Sequence, residues 1–306
     1  LLPELLRSKP RGHMFVEART RPVLTEVCRM LGHSDADALL LRHHTNAVYA
    51  VGDVVVKIAP TEYGFDRTRA VVAVVEWLSA KGFPTVGLCD QVPQPLFVDG
   101  HAVTVWQRLD PALSNPITTA ELGLLLRELH GLPAPPMELP ALRPIESVRR
   151  SVESAEMIDA RDRDLLLDRL EDLSKAWSSM AFPLGASLIQ SDPQTRNALR
   201  RFNGTPVLAD WDGVALGPRE WDVATVAVHC RRFGGGRTAF ADFTRNYGWN
   251  ATSWQGFEQL CQLRELQMIA TNARKSRPGT EAAAEVHRRL DGLRSEGTEL
   301  RRWRIL

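Results

Sequence analysis

Apolar positions along this chain follow two periods. Over 20–32, TRPVLTEVCRMLG, they recur at helical spacing, and Gly32 supplies the stop. Over 36–58 the spacing falls to two, which predicts strands, with Gly52-Asp53 turning AVYAV into VVVKIA. A helix over 66–81 closed by Gly82 is expected next, then a hairpin over 95–109 with Asp99-Gly100 at its tip. Asp110-Pro111 breaks that pattern, so a boundary is expected within 108–116. Helical spacing returns at 118–130, in two stretches of 146–180 split near Asp159 whose charged faces are expected to be solvated, from Trp221, over 254–274 and over 280–296. One short β-prone interlude interrupts the helices. It holds Ser187-Leu188-Ile189 and then the runs 198–202 and 206–209, separated by Asn203-Gly204. Both residues of that pair tolerate positive φ, which marks a hairpin turn.

The interlude also carries the densest candidate chemistry. Asp192 is followed after four residues by Asn197, and Asp210 closes the second strand. Folding the hairpin should bring all three to one end of a small ribbon. Carboxylates brought together repel, and a divalent cation removes the conflict. Hard oxygen donors of this kind suit Mg²⁺, which takes one or two carboxylates plus water and phosphate oxygens. D-x-x-x-x-N followed by an Asp on the next hairpin is the phosphoryl-transfer layout of protein kinases. D-x-x-x-x-N alone reads as a polar loop; the hairpin, the second Asp and Gly217-Pro218-Arg219-Glu220-Trp221-Asp222 reverse that reading. Lys57 is a single cation in the apolar run VVVKIA, and such a lysine either snorkels or has a negative partner. Kinases pair it with a Glu on the next helix, here Glu76. An edge-strand lysine and a solvated helix face are the plain alternatives for these two.

Gln190-Ser191-Asp192, Asn197, Asp210-Trp211-Asp212 and the Gly217–Asp222 run together resemble the aminoglycoside phosphotransferase family. Its signature is H-G-D-x-x-x-x-N, a hairpin with I-D-W-D, then G-P-x-x-W-D. The departure is Gln190-Ser191 in place of His-Gly. The resemblance implies an α+β, two-lobed protein-kinase-like fold. A small β-rich nucleotide-binding lobe would span 1–109 and a larger, mainly helical catalytic lobe 110–306. It implies that Asp192 orients the acceptor hydroxyl and takes its proton, and that Asn197 and Asp210 hold Mg²⁺. Lys57, braced by Glu76, would fix the phosphates of ATP or GTP. Thr45 and Asn46 would lie in the phosphate loop, and Gln107 and Arg108 would flank the base. Gln190 would brace the catalytic loop as the family's His does, and Asp222 would accept backbone N–H groups from that loop. His130, at the end of an apolar helix stripe, is expected to be structural. The implied acceptor is a small molecule with a hydroxyl: an aminoglycoside-like antibiotic, a sugar or an amino alcohol. The alternative is a nucleotide-binding pseudokinase with a regulatory role.

Composition narrows this further. The 306 residues carry a net charge of +1, 44% hydrophobic and 25% charged residues, the profile of a soluble globular protein. Neither nucleic acid nor membrane is expected as a partner. The expected partners are the acceptor and a nucleoside triphosphate, in a monomer or homodimer. The first residues lack the apolar run of an export signal, and the four cysteines, Cys28, Cys89, Cys230 and Cys261, show no paired spacing. A reducing, cytoplasmic location is therefore expected. Over 184–306 there are 18 Lys+Arg and 13 Asp+Glu, a balance of +5, which gives a polycationic acceptor no encouragement.

Overall fold

The computed structural model describes residues 15–43, 45–61, 64–109, 115–295 and 302–306. The expected break at Asp110-Pro111, and His44 in the turn before Thr45, lie outside these residues. The chain divides into two compact units, Leu1–Ala80 with Val86–Leu109, and Lys81–Thr85 with Asp110–Leu306.

The first unit is built on one antiparallel sheet. Helix α1 (Glu17–Leu31) ends on Gly32, whose φ of 69° closes the helix in the left-handed region. Strands β1 (Leu39–His43), β2 (Ala47–Val51), β3 (Val54–Ile58), β4 (Leu96–Val98) and β5 (His101–Gln107) form the sheet in the order β1-β2-β3-β5-β4. The β2–β3 turn is Gly52-Asp53 and the β4–β5 turn is Asp99-Gly100, with positive φ at Asp99, Gly100 and Gly52. Alternate burial along β3 sends Val54, Val56 and Ile58 into a core shared with Val23, Leu24 and Val27 of α1. Burying each such side chain contributes about 1.5–3 kcal/mol. Helix α2 (Phe65–Ala80) packs on β5 through Val71, Val74, Val75 and Leu78.

The second unit is mainly helical. Its helices are α3 (Thr119–Gly131), α4 (Pro144–Glu153), α5 (Ala160–Ser179), α6 (Arg219–Phe233), α7 (Gly236–Tyr247), α8 (Phe257–Lys275) and α9 (Glu281–Arg294). Thr118 and Glu121 start α3 with a capping box, and Asp159 caps α5. Helix α8 is central: α4, α5, α6 and α9 all pack on it. Its apolar face, including Leu260, Leu263, Leu266 and Ile269, is fully buried. No helix among the described residues is long and apolar enough to cross a membrane. The cysteines are free and buried.

Three local outcomes differ from the sequence reading. Residues 81–85, expected with the first part, pack with the second. Leu208 N–H donates to the Pro84 carbonyl at 2.9 Å, Trp211 Nε1 to Thr85 Oγ1 at 2.9 Å, and Phe83 meets Trp211 edge-on. The Asn203-Gly204 connection is longer than a two-residue turn. It closes where Arg201 N–H donates to Thr205 O, with Asn203 Oδ1 accepting from Thr205 N. The face of 146–180, expected to be solvated, holds the buried Asp162, which is ion-paired with Arg294 of α9.

Candidate active site

Strand β6 (Ala186–Ile189) pairs antiparallel with β9 (Ala215–Pro218), and β7 (Ala198–Arg200) with β8 (Pro206–Leu208). These two ribbons fix both ends of the loop that carries Asp192. Gln190 is completely buried and ties the loop together. Its Oε1 accepts the Asp192 N–H at 2.8 Å. Its Nε2 donates to the carbonyls of Asp210 at 2.8 Å and Ala209 at 3.1 Å. Asn197 Nδ2 donates to the Asp192 carbonyl at 2.9 Å, and Ala209 N–H to the Asn197 carbonyl at 2.8 Å. Asp192, Asn197 and Asp210 are thus joined by hydrogen bonds through two amide side chains, those of Gln190 and Asn197, and one backbone link. The convergence expected from the hairpin is present.

Asp222, at the start of α6, holds the same loop from behind. Its carboxylate accepts the N–H groups of Gln190 at 2.9 Å and Ser191 at 2.8 Å. His130 lies 3.2 Å from Asp222 through Nε2 and 2.8 Å from the Tyr247 hydroxyl through Nδ1, all buried. His130 is therefore a brace for a brace, as its place on the helix stripe implied. Ser191 has φ 73°, a conformation that costs a non-glycine residue roughly 1–2 kcal/mol. The position is glycine in the family signature, and here Asp222 and the Trp221 Nε1 bond to the Ser191 carbonyl, at 3.0 Å, hold the serine in place. Asp210 also has positive φ, 56°, where the chain leaves β8.

Asp192 is the most crowded of the three side chains. Arg264 of α8 forms an ion pair with its Oδ1, and Gln194 Nε2 donates to Oδ2 at 3.2 Å. His229 Nε2 of α6 lies 3.6 Å from Oδ1, too far for a hydrogen bond, and has no other partner among the described residues. Nearly half of the Asp192 side-chain surface stays open, at 45%. The protein packed around the carboxyl would by itself push its pKa up. The Arg264 charge, joined by His229 and Gln194, outweighs this and holds it below the usual carboxylate value. His229 is pulled below the ordinary imidazole value, chiefly by burial, with Asp192 opposing. The group at this site is an ionised carboxylate beside a neutral imidazole at neutral pH. Arg264 and His229 were absent from the sequence reading. The available signal was a lone arginine on the otherwise apolar face of 254–274.

The other predicted residues lie in the first unit. Lys57 sits in β3 opposite Val48 and Thr104, half-buried. The expected Lys57–Glu76 pair is not formed. Glu76 is exposed on α2 and, among the described residues, makes no ion pair. The reason is helical phase: at 3.6 residues per turn Glu76 falls roughly 140° from Val71, outside the buried arc. Asn46 is buried and Thr45 half-buried, beside the start of β2. Gln107 is exposed with its side chain against Gly87, where an added Cβ would lie 2.6 Å from its Oε1. Arg108 braces the β2–β3 turn, donating from Nη1 to Gly52 O and from its backbone N–H to Asp53 O, both at 2.9 Å.

Solved structures share this architecture. An amicoumacin kinase in complex with AMP-PNP, Ca²⁺ and its ligand superposes with a TM-score of 0.75 at 13% identity, covering 95% of this chain and 98% of that one. A microcompartment-associated aminopropanol kinase gives 0.69 at 18% identity, covering 88% and 95%. A choline/ethanolamine kinase family protein from Mesorhizobium loti gives 0.66 at 15% identity, covering 91% and 94%. At these identities the likeness establishes the kinase-like fold and leaves the acceptor open. Among curated proteins, none matches the chain. The model of the phosphotransferase enzyme family matches residues 39–263, a span that contains the whole Gln190–Asp222 constellation. The chain belongs to the phosphotransferase enzyme family.

Proposed function

We propose that the protein transfers the γ-phosphoryl group of ATP or GTP to a hydroxyl of a small molecule, with Asp192 as the proton acceptor. The observation that carries this reading is the bonded loop itself: Gln190 ties the Asp192 N–H to the Asp210 carbonyl, and Asn197 Nδ2 bonds the Asp192 carbonyl. In the reaction the acceptor oxygen forms a bond to the γ-phosphorus as the bond to the β-phosphate bridge oxygen breaks. The hydroxyl proton passes to the Asp192 carboxylate, and a phosphate ester and nucleoside diphosphate leave. Phosphoryl transfer through a loose transition state draws nearly all its catalysis from positioning and electrostatics. Asp192 is suited to this because it is ionised and its backbone is pinned on both sides.

Asn197 and Asp210 fit a divalent cation. Asn197 spends Nδ2 on the Asp192 carbonyl, which keeps Oδ1, its only side-chain acceptor, for the cation. One carboxylate and one amide oxygen are a typical protein share for Mg²⁺. When bound, the cation offsets charge on the phosphate oxygens. Lys57 is proposed to hold phosphates without help from Glu76. Thr45 and Asn46 are proposed for the phosphate loop, and Gln107 and Arg108 to flank the base. The relatives named above act on amicoumacin, an aminopropanol and choline or ethanolamine by their names, so the fold does not choose among acceptors. Product mass after incubation with ATP or GTP, Mg²⁺ and panels of antibiotics, sugars and hydroxylated metabolites tests the reading. A phosphate ester gained by one class, dependent on Asp192, is the expected result. Nucleotide binding without transfer to any hydroxyl would overturn it.

A further inference from the structure

Beyond Asp192 the surface turns cationic rather than acidic. His229 stacks on Phe233 with ring centroids 5.1 Å apart. The Arg196 guanidinium stands over the same Phe233 ring at 5.6 Å and that of Arg289 at 5.9 Å. Two buried polar atoms of this group have no hydrogen-bond partner among the described residues, His229 Nε2 and Arg289 Nη1. The Arg289 side chain is only 1% exposed. A buried N–H left without an acceptor is costly, and an anion is its natural complement.

The features that a cationic acceptor needs are already committed. Asp192 is paired with Arg264. Glu265 is paired with Arg231 and Arg232, and Glu258 with Arg231. Glu285 is paired with Arg288 and Arg289. No carboxylate of this cluster is left over among the described residues. The aromatic faces are likewise taken: Arg264 lies over Trp221, and Arg232 and Arg289 lie over Trp303. An ammonium group arriving here would meet guanidinium groups where a cage of aromatic faces would be required.

We propose that the acceptor is a hydroxylated small molecule bearing an anionic group, a carboxylate or a phosphate, seated on the Arg196–Phe233–His229 face beside Asp192. The inference rests on the phosphotransferase reading for the step at Asp192. Its hydroxyl proton goes to Asp192 as above, while its anion meets the exposed Arg196 guanidinium and the His229 ring. Arg264 stays on Asp192 and positions it.

The test compares four matched acceptors: glycerate, glycerol 3-phosphate, glycerol and 3-amino-1,2-propanediol. With ATP and Mg²⁺, kcat/KM for at least one of the two anions should exceed that for the amine by tenfold or more. Whichever anion leads identifies carboxylate or phosphate as the group read. Arg196→Glu, a change at an exposed residue, should raise KM for the anion at least tenfold and leave nucleotide affinity unaltered. A second measurement needs no turnover. With a non-hydrolysable nucleotide at saturation, either anion should raise the pKa of the His229 ring, followed by NMR, and Arg196→Glu should remove that effect. Preference for the amine, or anion binding indifferent to both Arg196→Glu and His229→Gln, overturns the proposal. Anion binding sensitive to both variants, without transfer to any acceptor, upholds the anion site and removes the phosphotransferase reading instead.

Discussion

Removing the Gln190 amide should loosen the catalytic loop by an amount that its hydrogen bonds set. The side chain is fully buried and makes three bonds, one accepted from Asp192 N–H and two donated to the Ala209 and Asp210 carbonyls. Gln190→Ala strands one backbone donor and thins two acceptors. A buried group left unsatisfied costs about 1–3 kcal/mol, the carbonyls less because each keeps a second lone pair. The expected loss is about 2–4 kcal/mol, including the small void. Gln190→Met keeps the volume and removes the bonds, so it should lose nearly as much. Gln190→His keeps one donor and one acceptor in neutral form and should lose only about 1 kcal/mol. Urea unfolding at constant m value reads the stabilities. Single-turnover transfer reads the geometry, where displacement of Asp192 by an ångström costs about 10²-fold. If Gln190→Ala loses less than about 0.5 kcal/mol, or Gln190→Met matches the parent, the staple is not what holds the loop.

The metal assignment predicts an order. Asp210→Ala should weaken Mg²⁺-dependent nucleotide binding more than Asn197→Ala, because it removes a full charge beside the cation; calorimetry with and without Mg²⁺ checks this, and unchanged affinity in Asp210→Ala would contradict it. At acid pH, the Arg200 pair and the Thr118 bonds hold Glu121 down at about 2, against an ordinary value of 4.5. The folded state therefore binds fewer protons than the unfolded state in that window. Its stabilisation is complete above 4.5 and is lost as pH falls toward 2. Glu121→Gln should flatten the fall of the urea midpoint over that range, and a slope equal to the parent's would refute the assignment.

Short-range signals were legible in the sequence. Gly52-Asp53 and Asp99-Gly100 turn the strands as read, Gly32 stops α1 and Asp159 starts α5, because each acts through its own backbone or its nearest neighbours. The Asp192, Asn197 and Asp210 cluster was legible for the same reason: one hairpin connects it. Contacts between distant segments were not. Arg264 reaches Asp192 across 72 residues, and nothing local to either announces the pair. Residues 81–85 belong with the helical unit because Pro84 and Thr85 bond to Leu208 and Trp211, more than 120 residues on. Glu76 departs from its expected pairing because neighbours in sequence are not neighbours in space: the helix turns its side chain out of the buried arc.

Phosphoryl transfer as proposed needs an ionised Asp192 to take the acceptor proton. Asp192→Asn keeps the shape and removes the charge, and Arg264 retains its bonds to Thr225 and Gln267. Single-turnover transfer, with nucleotide affinity measured on the same protein, is the direct test. Nucleotide affinity should stay unchanged while the transfer rate falls by about 10²–10⁴, the usual worth of a positioned general base. A loss smaller than about tenfold with nucleotide still bound would contradict it.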